Sequence, residues 1–207
     1  MVFRLKTLCA AAIIAVAAVP GAASAATDCD SYPTDPQQTV SFGTLQLPPV
    51  PVPVGTILAE RLTLPWNPPP FVCRHFTPIA PKLDLEYLGQ QAATTASGVI
   101  YRTNVPGVGI RIAFESDSGM RTTAGDETDV SQDTRTILVP RQPIVIRNGR
   151  FRVQLVKTDA IVEGGSLPNG PLASLALRDN QGLFAGPVQA SIVLSDSHIV
   201  VPKPAQP

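Results

Sequence analysis

Apolar and polar residues alternate along this chain in short runs punctuated by glycine, proline and asparagine. Ile110, Ile112 and Phe114 share one face of a segment while Arg111 and Glu115 share the other, the period of two that marks a half-buried β-strand. Residues 98–103 read as the strand before it. The connection, Asn104 to Gly109 (NVPGVG), is a turn in which Gly107 and Gly109 permit positive φ and Pro106 fixes the bend. Residues 39–47 alternate with Val40, Phe42 and Leu45 inward around Gly43, and residues 55–64 alternate again. Between them, 48–54 is too rich in proline for a central strand and suits an edge or a polyproline II segment.

Residues 144–155 predict a hairpin. Ile144 to Arg147 turns through Asn148-Gly149 into Arg150 to Leu155, and Asn-Gly between alternating strands suits a type I′ turn with positive φ at both positions. That register sets Arg147 opposite Arg150 and Ile146 opposite Phe151. One face then holds Ile144, Ile146, Phe151, Val153 and Leu155; the other holds Val145, Arg147, Arg150, Arg152 and Gln154. Further strands are expected at 136–139, 172–177 and 188–194, and no segment carries the 3.6 period of a long helix. Short strands separated by turn residues favour an antiparallel sandwich or barrel over βαβ units.

Composition agrees. The 22 prolines disfavour a helical bundle, because proline lacks an N–H and clashes inside a helix. An apolar fraction of 44% excludes a disordered chain. Lys+Arg and Asp+Glu balance at 16 each, against a nucleic-acid partner.

The first 25 residues read as a secretory signal and stand apart from the fold. Arg4 and Lys6 precede an apolar run from Leu8 to Val19, Pro20-Gly21 breaks it, and Ala23-Ser24-Ala25 suits signal peptidase. The run is too short to span a bilayer, which takes about 20 residues, and no later stretch reaches that length. Export places Cys29 and Cys73 under oxidising conditions, and a Cys29–Cys73 disulfide is expected. The chain-entropy treatment assigns such a bridge roughly 4 kcal/mol. No CxxC pair exists and His75 and His198 lie far apart, so no metal and no cofactor are expected.

Catalytic patterns are absent: there is neither GxSxG nor HExxH, and Gly107-Val108-Gly109 is not a full GxGxxG. The polar loop at 119–135 carries Asp126, Glu127, Asp129 and Asp133, best read as a solvated face. The chain is therefore expected to bind rather than catalyse. Two candidate sites stand out. Arg147, Arg150 and Arg152 on one hairpin face suit an anionic or sulfated ligand, or else pair with the acidic loop or stay solvated. Trp66, the only tryptophan, sits beside Asn67 in a proline-rich loop; it suits stacking on a sugar, or else packs into the core near the disulfide.

Three stretches carry a resemblance to a family: Gly55-Thr56-Ile57-Leu58, then Tyr101 to Arg111 (YRTNVPGVGIR), then Leu155-Val156-Lys157-Thr158 leading to Gly164-Gly165. The chain resembles the receptor-binding, lectin-like N-terminal domain of chaperone–usher fimbrial tip adhesins of the type 1 and type 3 kind, over about 29–201. The resemblance implies an elongated antiparallel β-sandwich of jelly-roll or immunoglobulin-like type. It also implies secretion through the periplasm with help from a chaperone and an usher, and display at the fimbrial tip or cell surface. The expected partner there is a host carbohydrate or a matrix protein. The pilin domain that such adhesins carry, with its own cysteine pair, is expected to be absent, with 202–207 a linker or ragged terminus. Chaperone, usher and pilin partners then apply only if a pilin domain is supplied. The competing expectations are a structural pilus subunit assembled by donor-strand exchange and, behind it, a secreted hydrolase.

Overall fold

The computed structural model describes residues 36–48, 52–70, 81–89, 92–95, 98–119, 121–124, 143, 145–179 and 185–202. The signal segment, Cys29, Cys73, the acidic residues Asp126, Glu127, Asp129 and Asp133, Ile144 and the strand expected at 136–139 lie outside them, while the start of the loop expected at 119–135 is instead a short strand, Arg121–Thr123. Among the described residues eleven strands follow in chain order: β1 (Gln37–Gln46), β2 (Ile57–Leu62), β3 (Pro81–Tyr87), β4 (Ala92–Thr95), β5 (Gly98–Arg102), β6 (Val108–Glu115), β7 (Arg121–Thr123), β8 (Arg150–Lys157), β9 (Gly165–Ser166), β10 (Gly170–Asp179) and β11 (Ala185–Val200).

They form two sheets. The first runs β1-β11-β10-β3, with β9 on β11; the second runs β2-β8-β6-β5-β4, with β7 on β6. The sheets pack face to face as a β-sandwich. β6 and β8 form its middle: Ile110, Ile112, Phe114, Phe151, Val153 and Leu155 are each at most 1% exposed. Across from them stand Leu83, Leu85, Leu175, Ile192 and Leu194. Truncating any of these leucines or isoleucines to Ala would cost about 2–5 kcal/mol.

Every pairing is antiparallel except one. β1 runs parallel to β11, from Gln37 opposite Ser191 to Gln46 opposite Val200. Both strands bend at the same place, where Gly43 (φ 59°) and Asp196 (φ 38°) take positive φ. The buried positions record it: Val40 and Phe42 give way to Leu47, and Ile192 and Leu194 give way to Ser197 and Ile199. One extra residue in each strand reverses which parity faces the core. Ser197 Oγ accepts from the Phe42 N–H at 3.0 Å, and Ser41 Oγ donates to the Asp196 carbonyl at 3.0 Å. These bonds occupy the backbone groups that the paired bends take out of the ladder.

The 104–109 connection is the expected turn, with one difference. The Val108 N–H donates to the Val105 carbonyl at 3.1 Å, and Pro106 precedes Gly107 at φ 78°, the arrangement of a type II turn. Gly109 has no positive φ. It lies in β6, and a Cβ there would fall 2.4 Å from Ile100 Cγ2 and 2.7 Å from Thr158 Cγ2. Glycine at this position provides space rather than backbone freedom.

The expected Asn148-Gly149 hairpin does not form. β8 has β2 along one edge and β6 along the other, so no edge remains for residues 145–147. The Arg147 carbonyl accepts from the Asp117 N–H, and Gly149 exchanges two hydrogen bonds with Trp66, all at 2.8 Å. The chain thus keeps its direction through Asn148, which alone of the pair takes positive φ, at 48°. Asn148 is a bulge, and Arg147 does not face Arg150 across a ladder.

Candidate binding site

The arginine face forms a closed ladder rather than an open anion site. Across the outer surface of β2, β8 and β6, Arg150 Nε meets Glu115 Oε1 at 2.9 Å, while Arg152 reaches Glu115 and Glu60 at 3.1 Å each. Gln154 Nε2 donates to the other oxygen of Glu60, and Arg111 Nε donates to Gln154 Oε1 at 2.8 Å. Partial burial pushes the Glu115 carboxyl up, but the hydrogen bonds and charges of Arg152 and Arg150 outweigh it and hold the group below its ordinary value. The carboxylates neutralising Arg150 and Arg152 thus belong to neighbouring strands. Arg147, exposed, stays outside this ladder.

Trp66 and Asn67 converge with Asn148 and Gly149 at one end of the second sheet. Trp66 is partly buried against the core, with its ring over Gly149, where an added Cβ would lie 3.0 Å from Trp66 Cε3. Asn67 Nδ2 donates to Asn148 Oδ1 at 3.1 Å, the Asn148 N–H donates to Asn67 Oδ1 at 2.8 Å, and Asn148 Nδ2 donates to Asp117 Oδ2 at 2.8 Å. These side chains satisfy one another and pin the entry into β8. Core packing is the role the geometry gives Trp66.

A cleft of about 360 Å³ opens at the seam between the sheets, on the side of β3 and β5. One wall is Arg102, Thr103 and Asn104; the other is the segment Leu167–Leu172; Ile110 and Leu194 form the floor, and Tyr87 and Gly89 close one side. Tyr87 stacks on Tyr101 with ring centroids 3.9 Å apart, joining the two sheets at this seam. Burial raises both phenols, and for Tyr101 the nearby Tyr87 and Asp84 add to it, so both stay neutral at physiological pH.

The walls are held from behind. Asn104 Nδ2 donates to the Ser166 carbonyl at 2.9 Å, the Leu167 N–H donates to the Ser197 carbonyl at 2.8 Å, and the Asp196 N–H donates to Asn169 Oδ1 at 3.0 Å. Thr103 Oγ1 is occupied by the turn, donating to the Val108 carbonyl at 2.8 Å. Behind the 166–169 loop a more open, polar hollow holds Thr44, Ser166, Asp196 and His198, with Ser166 Oγ 2.8 Å from His198 Nδ1. Among the described residues no His, Cys, Asp and Glu group is arranged to hold a metal ion.

The three stretches that carried the resemblance meet where Val108 pairs with Lys157, the end of the second sheet opposite Trp66 and Asn148. The Gly55 N–H donates to the Lys157 carbonyl and the Lys157 N–H to the Thr56 carbonyl. Thr158 N–H donates to the Gly107 carbonyl, and Gly165 lies against Val105. Residues 39–191 match the family described as the MrkD-like receptor binding domain.

The chain belongs to that family.

The MrkD-like match runs from β1 into β11 and contains every residue of the cleft lining except Leu194. Among solved structures, the receptor binding domain of the plasmid-born adhesin MrkD1P of Klebsiella pneumoniae aligns with a TM-score of 0.54 at 18% identity, covering 86% of this chain and 97% of that one. That likeness shows the fold. The Proteus mirabilis Ambient Temperature Fimbriae adhesin AtfE (TM-score 0.44, 15% identity, 81% and 99% covered) and the CupB6 tip adhesin of Pseudomonas aeruginosa (0.41, 14%, 82% and 43%) also align. No curated protein gives a significant match. The adhesin resemblance read from the three stretches, at 55–58, 101–111 and 155–165, is sound within the MrkD-like match at 39–191.

Sequence reasoning singled out Asn104 only as a turn residue and did not find Tyr87, Arg102 or Asn169. Leu83 and Leu85 alternating with Asp84 and Glu86 announce β3, and with it the position of Tyr87. No linear signal brings 87, 102–104 and 167–172 together.

Proposed function

We propose that this chain is the receptor-binding domain of a fimbrial adhesin, and that it attaches a bacterium to a host surface glycan or matrix protein through the cleft between Arg102–Asn104 and Leu167–Leu172. The observation that carries the cleft is the contrast in unused bonding capacity. Arg150, Arg152, Asn67 and Asn148 are taken up by protein partners, whereas Arg102 lines the cleft with no carboxylate on it among the described residues. A concave, mostly apolar site with a few convergent polar groups is the usual form of a ligand pocket.

The role is binding without catalysis. Export through the periplasm, and handover by chaperone and usher where a pilin domain is supplied, follow from the same reading. A strand-exchanging pilus subunit needs an open groove beside its last strand. Here β11 is flanked by β1 on one side and by β10 and β9 on the other.

The test is attachment of beads coated with the full chain to host cells and to matrix preparations. Asn169→Trp, an exposed change that fills the cleft and gives up the bond to the Asp196 N–H, is expected to abolish attachment while lowering stability by only about 0.5–1.5 kcal/mol. Undiminished attachment by that folded variant refutes the cleft as the receptor site.

A further inference from the structure

The lining of the cleft narrows what it accepts, an inference that rests on its being the receptor site. Among the described residues, Arg102 is the sole charged residue in the lining, and no carboxylate is present. Its guanidinium is a planar fork matched to one carboxylate. Beside it two amides keep capacity. Asn104 uses Nδ2 on the Ser166 carbonyl and retains Oδ1; Asn169 uses Oδ1 on the Asp196 N–H and retains Nδ2. Tyr87 and Leu172 supply aromatic and aliphatic surface.

Such a set discriminates among ligand classes. A peptide brings an N–H and a C=O at every residue, and a floor of Ile110 and Leu194 has no partner for them. A neutral sugar has nothing that calls for the guanidinium. A pyranose bearing a carboxylate matches all three features: a C–H face for the apolar wall, hydroxyls that donate to Asn104 and accept from Asn169, and one negative charge for Arg102. The cavity is near the small end of the roughly 300–1,000 Å³ range of ligand pockets, room for one or two rings. We propose that the cleft binds the carboxylate-bearing terminal sugar of an acidic host glycan, with Arg102 on the carboxylate, Asn104 and Asn169 on the hydroxyls, and Tyr87 and Leu172 against the ring.

The full chain should be titrated with a sialyllactose conjugate, a glucuronate-terminated oligosaccharide and neutral lactose, with immobilised matrix proteins in parallel. One or both acidic sugars should bind and lactose should not, and which acid binds identifies the source of the carboxylate. Arg102→Glu, a change at an exposed side chain, should weaken acidic-sugar binding at least about tenfold, the loss of a charge-assisted hydrogen bond. Arg102→Lys, which keeps the charge without the fork, should lose several-fold. Equal binding of lactose, or acidic-sugar binding indifferent to Arg102→Glu, overturns the proposal. If only a matrix protein binds, and Asn169→Trp abolishes it, the cleft remains the receptor site and the acidic-sugar assignment falls. Matrix or sugar binding that survives Asn169→Trp removes both.

Discussion

Gly107 offers the sharpest test of how the cleft wall is held. Two separate costs meet at this position. Its φ of 78° is left-handed, which costs an L-residue about 1–2 kcal/mol. In addition, a Cβ would fall 2.0 Å from the Ile161 carbonyl oxygen, well inside the 3.4 Å of ordinary contact. That carbonyl has little freedom to retreat. Its loop is tied to the turn by the Thr158 N–H on the Gly107 carbonyl at 2.9 Å and the Glu163 N–H on the Pro106 carbonyl at 3.1 Å. Clearing the methyl group sacrifices at least one of these bonds, a further cost of about 0.5–1.5 kcal/mol.

Gly119 supplies the control. It has a comparable φ of 87°, with nothing within 4 Å of an added Cβ. Gly119→Ala should therefore show the backbone cost alone, about 1–2 kcal/mol, and Gly107→Ala about 1 kcal/mol more. Urea unfolding followed by tryptophan fluorescence measures both, since Trp66 is the single tryptophan. Because the turn carries Thr103 and Asn104, Gly107→Ala should also weaken ligand retention while Gly119→Ala leaves it intact. Equal destabilisation of the two variants would refute the argument that backbone contact with Ile161 requires glycine at 107.

Three further outcomes follow from the same geometry. The Glu115 carboxyl is depressed in the folded state, so its stabilising contribution is complete above the unfolded value near 4.5 and disappears as pH falls through the lower folded value. Thermal melts between pH 7 and pH 2.5 should show Glu115→Gln flattening that acid loss by less than about 1 kcal/mol, since its arginine partners are more than a third exposed; a steeper acid loss in the variant contradicts the sign. Ser197→Ala leaves the N–H of buried Phe42 without its partner and should cost about 1–3 kcal/mol in denaturant, where a change near zero would mean that the paired bends do not depend on this bond. Asn67→Ala removes both bonds to Asn148 and should cost about 1–2 kcal/mol with ligand binding unchanged; lost binding with stability intact would return the Trp66–Asn67 end to the list of receptor sites.

How much of this was legible in the chain depends on the range of the interaction. Ile110, Ile112 and Phe114 against Arg111 and Glu115 suffice to place β6 and its buried face, because strand alternation is local. Phe151, Val153 and Leu155 do the same for β8. The Asn148-Gly149 pair misleads for a physical reason: an Asn-Gly turn and an Asn bulge both begin with positive φ at Asn, and what decides between them is whether β8 has a free edge. With β2 and β6 on its two edges, it has none, and that is a property of the whole sheet. The partners of the arginine face are out of reach for the same reason, because the carboxylates on Arg152 and Arg150, Glu60 and Glu115, arrive from strands about 90 and 35 residues away. The cleft is least legible of all. Its walls are loops whose own sequences specify turns, and contacts between the two sheets bring them together, Tyr87 on Tyr101 and Asn104 on the Ser166 carbonyl.

The bonds behind the cleft also bear on how it binds. A pocket assembled from loops normally loses conformational freedom when ligand arrives, and that loss subtracts from affinity. Here the 166–169 loop is fixed at Ser166 by Asn104, at Leu167 by Ser197 and at Asn169 by Asp196. Asp196 and Ser197 sit at the shared bend of β1 and β11, so the one irregularity in the parallel pair is also what anchors the cleft's outer wall. Asp196 holds a left-handed φ unusual for a residue with a side chain, and Asn169 bonds the very N–H that this conformation turns out of the ladder. Straightening the bend would restore regular pairing but withdraw the partner that positions Asn169. The strain at Asp196 and the shape of the cleft are therefore one structural choice. Asp196→Gly, which relieves the left-handed strain and keeps the N–H, should leave ligand binding intact with stability equal or higher. Asp196→Val, which cannot tolerate that φ, should lose both.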